Sequence, residues 1–166
     1  DSNKDVLAQL SHLNLPAFEV LADCFSKVNA DVVVIATPNG THAPLAIEAL
    51  QYQKHVLIEK PMALNRADAE AIIKKANDVR KQVMVVLQNR FSPVSRWLKE
   101  TIDSKLLGAV FFVQVNCFWN RDERYYRKGG WHGTSDLDGG TLFTQFSHFI
   151  DSLYWLFGNI NNISSR

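Results

Sequence analysis

The polar residues that directly follow the apolar runs of this sequence have types and spacing that could do chemistry. The run 56–58 is apolar and is followed by Glu59, Lys60 and Pro61, so two charges stand at the exit of a predicted buried strand. In a doubly wound sheet, ligands bind beyond the carboxyl ends of the strands. Because lysine is seldom fully buried unless it is paired or functional, Lys60 is a candidate site residue. The alternative is a salt bridge between neighbours at the sheet edge.

A second polar group follows the apolar run 31–36. It is the turn 37–42, in which Asn39 or Thr41 is expected to cap the next helix and whose amides could face a bound nucleotide. An ordinary capped turn is the alternative. The segment 88–91 follows the third apolar run and reaches the same rim, with a hinge loop that caps the helix from Ser92 as its alternative.

The third polar group is a glycine-bearing loop over residues 121–140, which is followed by His148 on a predicted helix. The loop combines arginines with aromatic side chains, a chemistry that suits carboxylates, phosphates and sugar rings. A solvated charged loop is the alternative, because such composition is common on surfaces. Taken alone, a histidine on an aromatic-rich helix is more often structural than functional.

The elements that must position these residues follow from hydrophobic periodicity. The β-branched runs 31–36 and 56–58, together with 82–87, predict parallel strands covered on both faces by helices. Apolar residues at helical spacing predict helices over 43–53, 67–80, 92–104 and 141–157. Asn65 is expected to start the second of these helices, and Gly158 is expected to stop the last. The first half of the chain is therefore predicted to be α/β.

The pattern changes in the second half of the chain. Residues 109–119 alternate in the manner of a longer sheet strand, and 160–166 look like the start of another. The expected fold is an incomplete Rossmann-type parallel sheet, whose first βαβ unit is missing, joined to an incomplete α+β domain with an open antiparallel sheet. We place the domains at 1–91 and 92–166.

Composition narrows the classes of function. The chain has 166 residues, 46% of them hydrophobic, and a formal net charge of +1, which is typical of a soluble globular protein. Lys and Arg are interspersed with Asp and Glu, which argues against nucleic-acid binding. Cys24 and Cys117 lack any metal-type spacing, so no metal site or disulfide framework is expected. No membrane-length apolar run or basic leader is seen, and we predict a cytoplasmic protein without membrane association.

Three motifs together resemble one known family. The series 36–39, Glu59-Lys60-Pro61 and the segment from Gly139-Gly140 to Asp151 is similar to the glucose-fructose oxidoreductase, inositol dehydrogenase and rhizopine catabolism (Gfo/Idh/MocA) family. The resemblance covers essentially the whole chain in a consistent order. It implies a dinucleotide-binding domain, an open antiparallel sheet domain, and oxidoreductase activity that transfers hydride between a sugar or nucleotide-sugar hydroxyl and nicotinamide.

The resemblance also implies roles for individual residues. Lys60 and His148 would be catalytic, because oxidising an alcohol needs a base for the hydroxyl proton and a cation that orients the oxygen. An NAD cofactor would be held by residues at the strand ends, namely Asp1, Thr37, Pro38, Asn39, His42, Glu59, Lys60, Pro61, Gln88 and Asn89. The acidic Asp1 favours NAD, although the sequence leaves NADP open.

The substrate side resembles the branch that oxidises the 3-hydroxyl of UDP-N-acetylglucosaminuronic acid in polysaccharide biosynthesis. The residues expected to meet such a substrate are Arg121, Arg124, Tyr125, Tyr126, Trp131, Thr144 and Gln145. One departure bears on the base, since many family members carry aspartate four residues before the histidine, where this chain has Thr144. Threonine cannot supply a carboxylate that raises the basicity of His148.

The chain lacks the G-x-G-x-x-G fingerprint of dinucleotide binding, so we interpret it as an internal portion of a longer enzyme. A fragment of this kind exposes apolar sheet edges, and alone it is expected to be poorly soluble or to associate. The complete protein is predicted to be a homo-oligomer, a dimer or tetramer, formed through the sheet domain.

Two other functions remain as alternatives. A non-catalytic, cofactor-sensing regulatory protein of the same fold, like the yeast galactose repressor, is the first, and retention of both Lys60 and His148 argues against it. A different Rossmann-type enzyme, such as a methyltransferase, ranks last because it leaves Glu59-Lys60-Pro61 unexplained.

Overall fold

The structure is a computed structural model that describes residues 1–164. The helices are α1 (Lys4–Gln9), α2 (Leu21–Lys27), α3 (His42–Gln51), α4 (Arg66–Asp78), α5 (Pro93–Asp103) and α6 (Ser147–Phe157), and the strands are β1 (Val32–Ile35), β2 (His55–Ile58) and β3 (Val83–Val85). Short 3₁₀ turns occupy Ser11–Leu13, Asn39–Thr41 and Gln88–Phe91, and a π-helical turn, Leu142–Phe146, leads directly into α6.

The three strands form one parallel sheet in the order β1-β2-β3, with α3 and α4 as the crossover helices. The register pairs Ile35 with Ile58 and Ile58 with Val85, so the three carboxyl ends lie level at one edge. This arrangement confirms the predicted Rossmann-type α/β half and brings the strand-end residues to a common rim.

The core lies between this sheet and the two crossover helices. Ile35, Val56 and Ile58 project from one face of the sheet and are almost completely buried against Leu50 of α3 and Ile72 of α4. Burying side chains of this size contributes about 1.5–3 kcal/mol each relative to leaving them exposed.

The prediction that helices cover both faces of the sheet is wrong for the described residues. Val34 is 62% exposed and Met84 is 42% exposed, and both point to the face opposite the core, where Leu57 of β2 lies between them. Successive side chains of a strand point to opposite faces, and both crossover helices pack on the same one. An apolar sheet face is therefore left open.

The predicted end residues are correct for α4 and α6, but the predicted side-chain cap of α3 is not found. Asn65 caps α4 as predicted, by accepting a 2.9 Å hydrogen bond from the amide of Asp68, and Gly158 ends α6 with a φ of +85°. The expected side-chain cap of α3 by Asn39 or Thr41 is wrong. The hydroxyl of Thr41 donates to the carbonyl of Pro38 at 2.7 Å. The side-chain amide of Asn39 donates to the main-chain carbonyl of Asp138 at 2.9 Å.

The strand predicted over 109–119 is also wrong. These residues form no sheet pairing, and Phe111 and Phe112 are 95% and 79% exposed. Alternation of apolar and polar residues makes a strand only where a neighbouring strand supplies hydrogen bonds, and no strand among residues 92–164 does so. Residues 160–164 form no strand either, and the last two residues of that predicted strand, 165–166, lie outside the described part.

Two structural features are absent from the described residues, a membrane-spanning helix and a cluster of metal ligands. None of the helices in this part of the chain is both long and apolar enough to cross a membrane. No group of three or more His, Cys, Asp or Glu side chains within residues 1–164 is placed to hold a metal ion.

Candidate functional site

Lys60 leaves the carboxyl end of β2 and reaches across to the segment that precedes α6. Its Nζ donates a 2.7 Å hydrogen bond to the main-chain carbonyl of Thr144. Burial lowers the pKa of Lys60 below its ordinary value, while the charges of Glu59 and Asp138 oppose that shift. The side chain is therefore a partly desolvated cation that the fold holds in one place, and within residues 1–164 it forms no salt bridge with a carboxylate.

His148 lies near the start of α6, with only 8% of its surface exposed. Its Nδ1 is buried and has no hydrogen-bond partner within residues 1–164. Burial, and then the positive charge of Lys60, lower the pKa of His148 below its ordinary value, against the opposing charges of Asp151 and Glu59. The neutral imidazole is thus favoured near neutral pH, which is the form that can accept a proton.

Thr144 occupies the π-helical turn that precedes α6 and is buried. Its hydroxyl donates to the carboxylate of Asp138, and the carbonyl oxygen of Gly140 lies 2.9 Å from the same hydroxyl oxygen. The other carboxylate oxygen of Asp138 accepts a 2.7 Å hydrogen bond from the amide of Gly133. The sequence shows that Thr144 brings no carboxylate to this turn. The structure adds that Asp138, six residues earlier, supplies one, which was not predicted.

Arg121 is held between two aromatic rings. Its guanidinium carbon lies 5.0 Å from the ring centre of Trp119 and 4.6 Å from that of Tyr125. The same guanidinium donates to Oε1 of Gln145 at 3.2 Å, and Nε2 of Gln145 donates to the Tyr125 hydroxyl at 3.0 Å. Cation–π contacts and hydrogen bonds thus fix the cation while leaving most of its N–H groups uncommitted among the described residues.

These side chains border an open cavity of about 320 Å³. It is lined by Lys60, Trp119, Arg121, Tyr125, Trp131, His132, Thr144, Gln145 and His148. The structure therefore brings together both predicted catalytic residues and five of the predicted substrate residues. A cavity of this size is at the lower end of small-molecule sites, and it combines a few convergent polar groups with aromatic walls.

Two lining residues, His132 and Trp119, were not among the individual substrate residues predicted from the sequence, although His132 lies in the predicted substrate loop. The ring of His132 stacks on that of Trp131, with centres 3.9 Å apart, and lies 4.0 Å from that of Tyr125. Its place beside Trp131 in the aromatic loop was the available signal. Trp119 ends the segment that was predicted to be a strand, so nothing in its local pattern marked it as a site residue.

Two predicted substrate residues lie away from the cavity lining. Arg124 turns to the surface, where it donates to Asp122 at 2.8 and 2.5 Å. Tyr126 is 44% exposed and packs edge-on against Tyr125 with a centre distance of 4.9 Å. Arg124 forms a local ion pair because the chain turns at Asp122, which points its side chain back toward the aspartate.

Apart from Lys60, which lines the cavity, the residues predicted to hold the cofactor fall into two groups. Those near solvent at the strand-end rim or the chain start are Asp1, Thr37, Pro38, Glu59, Gln88 and Asn89. Those buried beneath the rim are Asn39, His42 and Pro61. Asp1 stands in an exposed turn, where its carboxylate accepts a 2.9 Å hydrogen bond from the amide of Asn3.

His42 is only 1% exposed, and both of its ring nitrogens face main-chain oxygens. Nδ1 lies 2.7 Å from the carbonyl oxygen of Pro61 and Nε2 lies 2.9 Å from that of Thr37. The ring therefore ties the loop after β1 to the loop after β2. This arrangement leaves His42 no free polar atom for a ligand, so any contribution it makes to cofactor binding acts through the loops that it joins.

Comparison with known proteins matches this architecture to one family. A model described as an oxidoreductase family with an NAD-binding Rossmann fold, GFO/IDH/MocA, matches residues 1–87, and the GFO/IDH/MocA C-terminal domain matches residues 95–166. The chain belongs to the GFO/IDH/MocA oxidoreductase family. The expected family resemblance is confirmed.

Individual relatives of this GFO/IDH/MocA chain include solved and curated proteins. The structure of the WlbA dehydrogenase from Bordetella pertussis, in complex with NADH and UDP-GlcNAcA, is 36% identical with a TM-score of 0.90, and the match covers 95% of this chain and 46% of that one. Inositol 2-dehydrogenase from Rubrobacter xylanophilus is 32% identical over 82% of this chain and 42% of its own length. The chain thus spans less than half the length of these relatives.

Proposed function

We propose that this GFO/IDH/MocA chain belongs to an NAD-dependent dehydrogenase that oxidises a hydroxyl group of a sugar or nucleotide sugar. The observation that carries the proposal is that Lys60 and His148 line the same cavity. The first is a positioned cation, and the second is a buried imidazole whose Nδ1 has no partner in residues 1–164. The NAD-binding description of the matching family model supports the choice of cofactor.

The residues at the strand-end rim fit a nicotinamide cofactor. Three parallel strands end level at that rim, and Lys60 stands between the rim and the cavity, so one ammonium can serve both the cofactor side and the substrate side. Exposed rim residues such as Thr37 and Gln88 are available to line it. When bound, NAD supplies the hydride acceptor for the reaction.

The side chains of the cavity account for the proton half of the reaction. Oxidation of R₂CH–OH to R₂C=O releases a proton from oxygen while hydride leaves carbon. His148, neutral because of its burial, takes the proton. Lys60 donates a hydrogen bond to the same oxygen and stabilises the negative charge that develops on it.

The finer proposal concerns the substrate, which we assign as a sugar that carries an acidic group. Arg121 offers a fixed guanidinium fork to a carboxylate or a diphosphate, and Tyr125, Trp131 and His132 form a stacked aromatic surface for a sugar ring. The 3-hydroxyl of a UDP-N-acetylhexosaminuronic acid fits this description. The likeness to a dehydrogenase crystallised with NADH and UDP-GlcNAcA supports that choice.

The test is an absorbance assay of nicotinamide reduction by the full-length protein, run with UDP-sugars that do or do not carry a carboxylate. We expect reduction with UDP-N-acetylglucosaminuronic acid and much weaker reduction with UDP-N-acetylglucosamine. Equal rates with both sugars would remove the acidic-substrate assignment. Absence of reduction with every sugar, in a protein shown to bind NAD, would remove the dehydrogenase proposal and favour a cofactor-sensing role.

Three expectations stay predictions: the boundary between the domains at residues 91 and 92, the homo-oligomer and the cytoplasmic location. Gel filtration with light scattering of the full-length protein measures its oligomeric state directly.

A further inference from the structure

The loop that precedes the π-helical turn carries a buried carboxylate to which the reaction outlined above assigns no part. Asp138 is 4% exposed and does not line the cavity. A buried carboxylate is costly unless its oxygens are satisfied, and both oxygens of Asp138 are hydrogen-bonded, one by the Thr144 hydroxyl and one by the Gly133 amide. The fold has therefore built a specific place for this charge.

The position of Asp138 is set from the cofactor side of the molecule. The side-chain amide of Asn39, itself 4% exposed, donates a 2.9 Å hydrogen bond to the main-chain carbonyl of Asp138. Next to it, the amide of Gly40 donates to the carbonyl of Leu137 at 2.9 Å. A Cβ on Gly40 would stand 1.9 Å from the main-chain oxygen of Asp136, so the two segments approach as closely as glycine allows.

Thr144 connects this carboxylate to the site. Its hydroxyl is bound to Asp138, and its main-chain carbonyl accepts the hydrogen bond from Lys60. A shift of Asp138 would thus move Thr144 and, with it, the group that holds the ammonium. We propose that Asp138 is a positioning residue for Lys60, acting through Thr144 in place of a carboxylate one helical turn before His148. This inference rests on the proposed function, in which Lys60 orients the reacting hydroxyl.

The pKa of Lys60 provides a second way to test this role of Asp138, because it depends on the charges around the ammonium. They are Glu59 at the end of the same strand, Asp138 in the preceding loop of the second half, Arg121 on the cavity wall and His148 on α6. The negative charge of Asp138 raises the pKa of Lys60 against the lowering by burial. Its removal lowers the pKa further and increases the fraction of the reactive neutral amine at a given pH.

The experiment compares Asp138→Asn with Asp136→Asn, an exposed aspartate of the same loop, in the full-length protein. Lys60 is acetylated with limiting acetic anhydride across a pH series and quantified by peptide mass spectrometry against the exposed Lys74 of the same molecule. We expect Asp138→Asn to increase labelling of Lys60 relative to Lys74 and to shift its titration to lower pH. Asp136→Asn should leave both unchanged.

Kinetics of the same variants test positioning. Asp138→Asn is expected to lower kcat by roughly tenfold, since misplacing a positioned group by 1 Å can cost about 100-fold. The substrate KM should change by no more than about twofold, because Asp138 does not line the cavity. Unaltered Lys60 titration together with wild-type kcat in a folded Asp138→Asn protein would overturn the inference.

A second pair of variants covers the case in which Asp138→Asn does not fold. Thr144→Val keeps the shape and the Asp138 charge but removes the connecting hydroxyl, and Thr144→Ser restores it. We expect kcat to fall in the first variant and to recover in the second, and equal kcat in both would contradict the proposal. The labelling readout needs no turnover, so it decides the role of Asp138 even if the wild-type protein reduces no nicotinamide.

Discussion

The ammonium of Lys60 and the main-chain carbonyl of Thr144 lie 2.7 Å apart, although 84 residues separate them in the chain. The contact joins the end of a parallel strand to the turn that leads into α6. It places the cation beside His148 and inside the cavity lined by Arg121 and the aromatic loop. The first four predictions depend on this arrangement, and the fifth concerns the ion pair between Arg90 and Asp151 on α6.

Replacing Lys60 with alanine removes the cation that orients the hydroxyl and stabilises its developing charge. We expect kcat to fall by a factor of about 100 to 10,000, which is the range that positioned acid–base groups contribute. Steady-state kinetics of the full-length variant measures the loss. Lys74→Ala, on the exposed surface of α4, is the matched control and should retain wild-type turnover. Undiminished turnover in Lys60→Ala would show that another residue orients the substrate.

The pH dependence of the reaction should report the lowered pKa of His148. A base works in its neutral form and is lost when it is protonated, so a lowered pKa moves the acid limb of kcat/KM below pH 6.5, the ordinary histidine value. A pH profile of kcat/KM with the acidic sugar measures this limb. A limb at or above pH 6.5 would show that the imidazole is not desolvated in the working enzyme.

The Lys60 charge contributes to that shift, which allows a direct test of their coupling. In Lys60→Met the loss of the neighbouring cation should raise the pKa of His148 toward its ordinary value. NMR titration of the His148 ring follows this change without turnover, and Lys74→Met serves as the control. An unchanged titration would mean that the two side chains are further apart in solution.

Arg121 should determine preference for an acidic substrate. In Arg121→Met the KM for the carboxylate-bearing sugar is expected to rise roughly tenfold or more, since hydrogen bonds to charged groups contribute about 1.5–3 kcal/mol. The KM for the sugar without the carboxylate should change little. Arg127→Met, an exposed arginine of the same loop, is the control for loss of one positive charge. A parallel rise for both sugars would indicate that Arg121 supports the cavity wall and does not read the acidic group.

The ion pair between Arg90 and Asp151 should stabilise the join between the strand-end rim and α6. Arg90 donates to both carboxylate oxygens, at 2.8 and 2.5 Å, and the two side chains are 29% and 16% exposed. Arg90→Met leaves Asp151 half-buried without its partner and should lower the free energy of unfolding by about 1–3 kcal/mol. Urea unfolding of the full-length protein measures the loss.

A double variant checks that the loss comes from the pair. Arg90→Met combined with Asp151→Asn should cost less than the sum of the single changes, because each single change removes the same interaction. Arg66→Met breaks the exposed pair with Glu70 on α4 and should have no measurable effect. Strict additivity in the double variant would contradict a stabilising pair.

Local signals made the first half of the fold predictable. Residues close together in the sequence determine each of the features that were predicted correctly. These features are the apolar strands, the helical spacing of α3 and α4, and the Asn65 cap. The failed predictions concern properties that depend on distant partners. The segment 109–119 has the alternation of a strand but no neighbouring strand among residues 92–164, and the sheet face of Val34 has no helix over it in the described residues.

The site divides in the same way. Lys60 was predictable because a charge after an apolar strand is unusual, and His148 because the family motif surrounds it. Three residues reach the site only because of the path that the loop 119–138 takes, and its sequence has no periodicity from which a contact could be predicted. They are Trp119, His132 and Asp138. Arg124 was expected in the cavity for its charge, but the turn at Asp122 directs it outward.

The hydrogen bond between Asn39 and Asp138 spans 99 residues, and this separation has a consequence for the order in which the protein matures. The parallel sheet and its crossover helices are made from residues 32–85, so they can assemble while Asp138 is still absent from the growing chain. At that stage Lys60 stands at an open strand end, without the burial that lowers its pKa in the folded protein. Contacts between residues so far apart in sequence tend to form late, because the entropy of loop closure is lost before the contact stabilises the chain. The altered basicity of Lys60 and His148 is therefore acquired last, so a newly made chain gains its reactive groups only when the second half has docked.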